Sequence, residues 1–131
     1  MTHDDGIGCE ACFGGTAKQA WQARRGFTRT AALIDEVHFI VSLLACPRCG
    51  QAFLSIFAER IDWRGGEDPQ EWVISPLTPA EAAGLAARTD VTESDLAALG
   101  LTRRHLRVWH ASDQPLQLAW SLGWPGLPPH D

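Results

Sequence analysis

The chain has 131 residues, of which 45% are apolar and 21% charged, and a formal net charge of −5. That length suits one compact domain with a modest core, and the composition excludes the charge-rich, weakly hydrophobic signature of a disordered chain. The acidic excess falls within residues 51–100, so no global attraction to nucleic acid is implied, and no run approaches the roughly 20 apolar residues of a membrane span.

The N-terminal Met1-Thr2-His3-Asp4-Asp5 lacks the basic and apolar regions of a secretory signal, which makes the cytoplasm the expected compartment. Glycine-rich residues 1–15 then enclose Cys9-Glu10-Ala11-Cys12, followed by Phe13-Gly14-Gly15. Residues 16–30 carry Lys18, Trp21, Arg24, Arg25, Phe27 and Arg29 without a clean period, the pattern of a connecting loop or a short helix.

From Val37 to Ala45 the chain alternates as a strand, with Val37, Phe39, Val41 and Leu43 on one face and His38, Ile40, Ser42 and Leu44 on the other. Both faces are apolar enough to be buried. The strand runs into Cys46-Pro47-Arg48-Cys49-Gly50, and a second one follows from Gln51 to about Asp62. Trp63-Arg64-Gly65-Gly66-Glu67-Asp68-Pro69 has the composition of a surface turn, and Glu71 to Ser75 reads as a third strand.

Thr78-Pro79-Ala80-Glu81 combines an N-cap threonine, proline at the first helical position and glutamate at the third, predicting a helix from Pro79 to about Arg88. Thr92-Glu93-Ser94-Asp95 opens a second helix closed by Gly100. A third is predicted from Thr102 through Leu106 and Trp109, and a fourth from Pro115 to about Gly123. The prolines of Trp124-Pro125-Gly126-Leu127-Pro128-Pro129 exclude regular structure there.

The four cysteines form two Cys-x-x-Cys pairs, which in a reducing compartment point to a metal site rather than a disulfide framework. Four soft thiolates suit tetrahedral Zn²⁺, so Cys9, Cys12, Cys46 and Cys49 are the predicted ligands of one structural zinc ion. Their combined charge leaves the centre near −2, and backbone amides at Gly14 and Gly50 are placed to offset it. Residues 13–45 separate the pairs by more than the roughly 15–20 of the simple spacing, implying an insertion between half-sites. The competing readings are an Fe–S centre and a labile dithiol.

The second pair, with a strand on either side, resembles the Cys-Pro-x-Cys-Gly knuckle of the zinc-ribbon family. The resemblance covers residues 9–12 and about residues 37–75, implies a three-stranded antiparallel sheet around a structural zinc, and leaves the C-terminal third unassigned. Zinc deaminases fit poorly, because Glu36-Val37-His38 reverses their His-x-Glu and Pro47 lies inside the pair. His38 is expected to be a packed strand residue rather than a ligand.

Leu96 to Trp109 resembles a helix-turn-helix, with Gly100 at the turn and Arg103, Arg104 and Arg107 on a basic second helix; Leu96 departs from the small residue that motif favours. The ordinary alternative is a helix pair with a solvated basic face. Lys18, Arg24, Arg25 and Arg29, interleaved with Trp21 and Phe27, are better read as a connector packed on the sheet than as a single-strand binder. Six tryptophans are many for this length. Trp63 and Trp124, in polar or proline-rich surroundings, are the candidates for a partner surface, with Glu67 and Asp68 supplying negative charge.

No Ser/His/Asp arrangement or phosphate-cradling loop appears, and Glu59 with Asp62 is only a loose carboxylate pair, so no enzyme is expected. The sequence therefore predicts an α+β chain in one compact domain. Residues 1–78 form a zinc-ribbon three-stranded antiparallel sheet with an inserted connector, and residues 79–131 a small helical segment and proline-rich tail packed on it. The expected function is a zinc-binding, non-enzymatic adaptor or regulatory module engaging a protein partner. The alternative is a DNA- or RNA-binding regulator using the helix-turn-helix-like segment 93–110.

Overall fold

A computed structural model describes residues 7–60, 68–111 and 114–123. Six strands form one antiparallel sheet in which spatial order follows chain order: β1 (Thr28–Glu36), β2 (Phe39–Ala45), β3 (Ala52–Glu59), β4 (Gln70–Leu77), β5 (His105–His110) and β6 (Gln117–Ser121). Helix α1 (Ala17–Ala23) precedes the sheet, and α2 (Pro79–Ala86) and α3 (Glu93–Ala97) lie between β4 and β5.

This six-stranded sheet replaces the predicted three-stranded ribbon followed by a C-terminal helical segment. Its central strands are β2, β3 and β4, in unbroken register from Phe39↔Ala58 to Ala45↔Ala52 and from Ala52↔Leu77 to Glu59↔Gln70. These match the sequence reading closely, because apolar residues facing both ways are legible without knowing the partner strands. Val37 is the exception: it is 83% exposed in the turn before β2.

Each sheet face has its own cover. On one face Phe39, Val41, Leu43, Leu54, Ile56 and Val73 pack with Leu85 of α2, Leu96 of α3 and the intervening Val91. On the other, Phe53, Ile74, Leu106 and Val108 pack with Cys12, Phe13, Ala20 and Trp21 from the N-terminal segment. The residues between the cysteine pairs thus form a third layer and an edge strand.

Three elements depart from the sequence reading. β1 carries no strand signal in the sequence, because its alternation is broken by register shifts between Arg29 and Ala31 and between Ala32 and Ile34, and because much of it faces solvent at the sheet edge. The helix predicted from Thr102 is instead β5, paired from Gln70↔His110 to Ile74↔Leu106. The helix predicted from Pro115 is β6, paired from His105↔Ser121 to Trp109↔Gln117. In both, pairing along the edge of β4 and then β5 satisfies backbone groups that a short isolated helix would satisfy less well. No helix-turn-helix exists at 93–110: α2 and α3 cover one face of the sheet, and β5 and β6 extend it.

The capping signals were sound. Thr78 and Glu81 form a reciprocal capping box for α2, as do Thr92 and Asp95 for α3, and Gly100 takes φ +59 where that segment ends. Thr16 and Gln19 form a third box for α1, the same S/T-x-x-E/Q signal in the sequence. Among the described residues no helix is long and apolar enough to cross a membrane.

Candidate metal centre

Both cysteine pairs sit on tight backbone turns. Cys9 caps, and Cys12 lies within, a single wide turn, Glu10–Gly14, in which the amides of Phe13 and Gly14 both donate to the Cys9 carbonyl at 2.9 and 3.0 Å. Cys46 and Cys49 occupy the β2–β3 connection, where the Gly50 amide donates to the Cys46 carbonyl at 2.7 Å and the Cys46 amide to the Gln51 carbonyl at 3.0 Å. Gly50 has φ +78, a conformation side-chain-bearing residues rarely adopt.

The two turns meet through Gln51, which sequence reasoning overlooked. Its Oε1 accepts from the Gly8 amide at 3.1 Å, while its Nε2 donates to the carbonyls of Ala52 and Leu77 at 2.8 Å each. Only the fold brings these groups together, and nothing in a Gly-Gln-Ala string signals it. Gly8 is equally constrained: it has φ +63, and a Cβ there would lie 2.7 Å from Phe13 Cβ and 2.8 Å from Cys12 Sγ.

The four sulfurs all lie within 4.8 Å of one another. Cys9 Sγ is 3.7 Å from Cys12 Sγ and 3.9 Å from Cys46 Sγ, and Cys12 Sγ is 3.7 Å from Cys49 Sγ. Disulfide sulfurs would be about 2.05 Å apart, and all four cysteines are free. Four thiols that converge this way can together hold a metal ion. Cys12 and Cys46 are buried in the core, whereas Cys49 is exposed.

Local hydrogen bonding prepares the thiolate form unevenly. The backbone N–H of Cys12, aimed at the Cys9 sulfur, lowers the Cys9 thiol to about 7, while the Cys9 amide donates to Cys12 Sγ at 3.2 Å. Burial pushes the Cys12 and Cys49 thiols up, so a cation bound there must displace their protons. The amides of Gly14 and Gly50, expected to offset thiolate charge, instead close the turns onto carbonyls.

No family model, curated protein or solved structure matches this chain. The cysteine centre is therefore argued from its own geometry. The two Cys-x-x-Cys turns are present and adjacent, as the ribbon resemblance implied; the three-stranded ribbon sheet is not.

The other candidate residues are scattered. His38 lies in the β1–β2 turn, not in a strand and not at the cysteines; its Nδ1 is 2.9 Å from Glu59 Oε1, and Gln70 Nε2 donates to Glu59 Oε2 at 2.8 Å. Arg103 pairs with Glu81 at 2.7 Å, and Arg107 with Glu71 at 3.3 Å. Arg104 donates to the Phe13 carbonyl. None of the three is on a helix, and all are half-buried among intramolecular partners, which corrects the reading of a solvated basic face.

The aromatic residues of the connector pack inward. Trp21 meets Trp72 edge-on at 5.2 Å with the Arg24 guanidinium 3.6 Å above it, and Phe27 stacks on Phe53 at 5.1 Å. Of the predicted partner surface, Trp63, Glu67 and Trp124 lie outside the described residues, as does Asp62, and Asp68 is half-buried.

Proposed function

We propose that the protein is a non-enzymatic adaptor or regulatory module organised by one structural Zn²⁺ ion on Cys9, Cys12, Cys46 and Cys49, and that it works in the cytoplasm by engaging a protein partner. The observation carrying the metal assignment is the sulfur spacing. A tetrahedron with Zn–S bonds of about 2.3 Å has edges of about 3.8 Å. The measured separations are 3.7, 3.9 and 3.7 Å. In an Fe–S cluster the four cysteines are divided among two or more irons, so some of their sulfurs stand far apart, whereas here all four lie within 4.8 Å of one another, which favours one ion over a cluster.

Four thiolates fill a tetrahedral ion and leave no position for water, which supports a structural role over a hydrolytic one. Two of the ligands are core residues, so the ion takes over part of what a larger apolar core would supply. A reducing compartment preserves such thiolates, the basis for the cytoplasmic assignment. The adaptor role rests on the acidic balance of the chain, which suits a basic protein partner rather than nucleic acid.

Metal analysis and native mass spectrometry of the purified chain test the first half: one zinc per chain is expected, and iron with sulfide, or no metal, would overturn it. Affinity purification from native cells, analysed for both protein and nucleic acid, tests the second. The expected result is a stoichiometric protein partner. Recovery of nucleic acid alone would overturn the adaptor assignment.

A further inference from the structure

β1 forms one edge of the sheet, with β2 as its only neighbour among the described residues. Its first part is blunted by the two register shifts, a common protection against unwanted strand pairing, but Ile34, Asp35 and Glu36 return to regular pairing with Val41, Ile40 and Phe39. The outward backbone groups of this regular end are therefore available to another strand.

Directly beside it is an open groove of about 420 Å³ between β1 and the segment leading into α3. Leu33, Ile34 and Val91 line it, and all three belong to or pack on the main apolar core. The register shift inserts Leu33 into the strand, which allows successive residues Leu33 and Ile34 to line the same groove. Its charged lining residues are Asp35, Glu36 and Glu93, all exposed, and no basic residue lines it.

An apolar floor, a uniformly acidic rim and an unpaired strand edge are three features that one kind of occupant satisfies together. We infer that this groove receives an extended, lysine- or arginine-bearing segment of a partner protein. The segment adds as a strand along Ile34–Glu36, sets an apolar side chain on Leu33 and Val91, and directs its basic side chains to Asp35 and Glu36. The inference rests on the adaptor reading and gives it a location and a partner chemistry.

The test is selection of random heptapeptides displayed on phage against the purified full chain, followed by NMR titration with a synthetic peptide of alternating lysine and valine. Enrichment of basic peptides with alternating apolar residues is expected, together with amide shifts confined to β1 and the groove. Asp35→Lys with Glu36→Lys should weaken the lysine–valine peptide by about tenfold or more, since like charges then face each other. Both positions are exposed, and the mapping on the parent chain stands even if that variant misfolds. Selection of neutral or acidic peptides, shifts on another surface, or unchanged affinity in the variant would overturn the groove while leaving an adaptor role intact. If the parent enriches no peptide and no protein partner co-purifies, both readings fall.

Discussion

The guanidinium of Arg104, immediately before β5, donates to the main-chain carbonyl of Phe13 and lies over the Phe13 ring at 4.3 Å, one residue beyond Cys12 of the cysteine cluster. The ring of Trp120 of β6, edge-on to Phe13 with centroids 5.3 Å apart, also faces the cation, 4.0 Å away. Trp120 in turn donates through Nε1 to the Gly15 carbonyl at 3.1 Å. The C-terminal hairpin and the first cysteine turn are thereby one mechanical unit, linked by a side chain that the sequence presented as a candidate phosphate contact.

Replacing Arg104 should therefore loosen the metal centre without touching a ligand. A charge-assisted hydrogen bond contributes about 1.5–3 kcal/mol and a partly desolvated cation–π contact about 1–2, so Arg104→Met is expected to cost about 2–4 kcal/mol. Arg104→Lys should recover little, because a compact ammonium cannot reproduce the planar fork that meets both rings while donating to the Phe13 carbonyl. Urea unfolding measures the first effect, and faster zinc transfer to a chelator the second. A variant with parental stability and transfer rate would show that the contact is incidental.

The four ligands should not be equivalent. Cys12 and Cys46 are core residues and Cys49 is exposed, so Cys46→Ser should abolish stoichiometric zinc and the cooperative fold together. Structural zinc binds with about 10–16 kcal/mol of apparent free energy, comparable to the roughly 5–15 of a whole domain. Cys49→Ser should bind zinc weakly yet keep more of the sheet. Circular dichroism alongside metal analysis separates these outcomes, and a fully folded, metal-free Cys46→Ser protein would contradict the structural role.

Two glycines with similar backbone angles make opposite steric predictions. Gly8→Ala adds a methyl group 2.7–2.8 Å from Phe13 and Cys12, on top of a left-handed strain of about 1–2 kcal/mol, and should cost about 3 kcal/mol or more. Gly50→Ala meets open space and should cost only the strain, about 1–2 kcal/mol. Thermal unfolding of the zinc-loaded variants ranks them. Equal losses would mean that contact with the ligand turn is not what constrains Gly8.

His105 gives the fold an acid-sensitive point. It is 2% exposed, its Nε2 has no hydrogen-bond partner, and burial pushes its imidazole below the ordinary value. The unfolded imidazole takes up a proton below about pH 6.5 while the folded one resists, so stability should fall as pH drops from there toward the depressed folded value. Glu81 acts lower. Burial opposes its ionisation, but Arg103 and the Thr78 amide hold it below the usual carboxylate range, so its contribution persists above about pH 4.3 and is lost as pH falls through its folded value. Denaturant unfolding at saturating zinc should show a shallower loss from about pH 7 to 5.5 in His105→Gln than in the parent. Identical slopes would assign that acid sensitivity to the thiolates alone.

Some of this molecule is written in local chemistry. The Cys-x-x-Cys pairs announce a cluster of four converging cysteines, because two-residue spacing turns both sulfurs of a pair to the same side, whatever surrounds them. Thr78-Pro79-Ala80-Glu81 and Thr92-Glu93-Ser94-Asp95 declare helix starts because each box closes on itself within four residues. β2, β3 and β4 are legible because their apolar residues face both ways in a repeating pattern.

What tertiary structure alone decided is the use of the short segments. His105–His110 carries a basic, capped-looking sequence, yet the exposed edge of β4 offers it a full set of backbone partners, and β5 then offers the same to Gln117–Ser121. Pairing preference of such segments depends on the neighbour strand rather than on intrinsic propensity. The same pairing brings Arg103, Arg104 and Arg107 to Glu81, Phe13 and Glu71, contacts spanning 22, 91 and 36 positions in sequence. Interactions of that range leave no periodic trace, so a solvated basic helix and a half-buried strand of structural arginines read alike until the sheet is assembled.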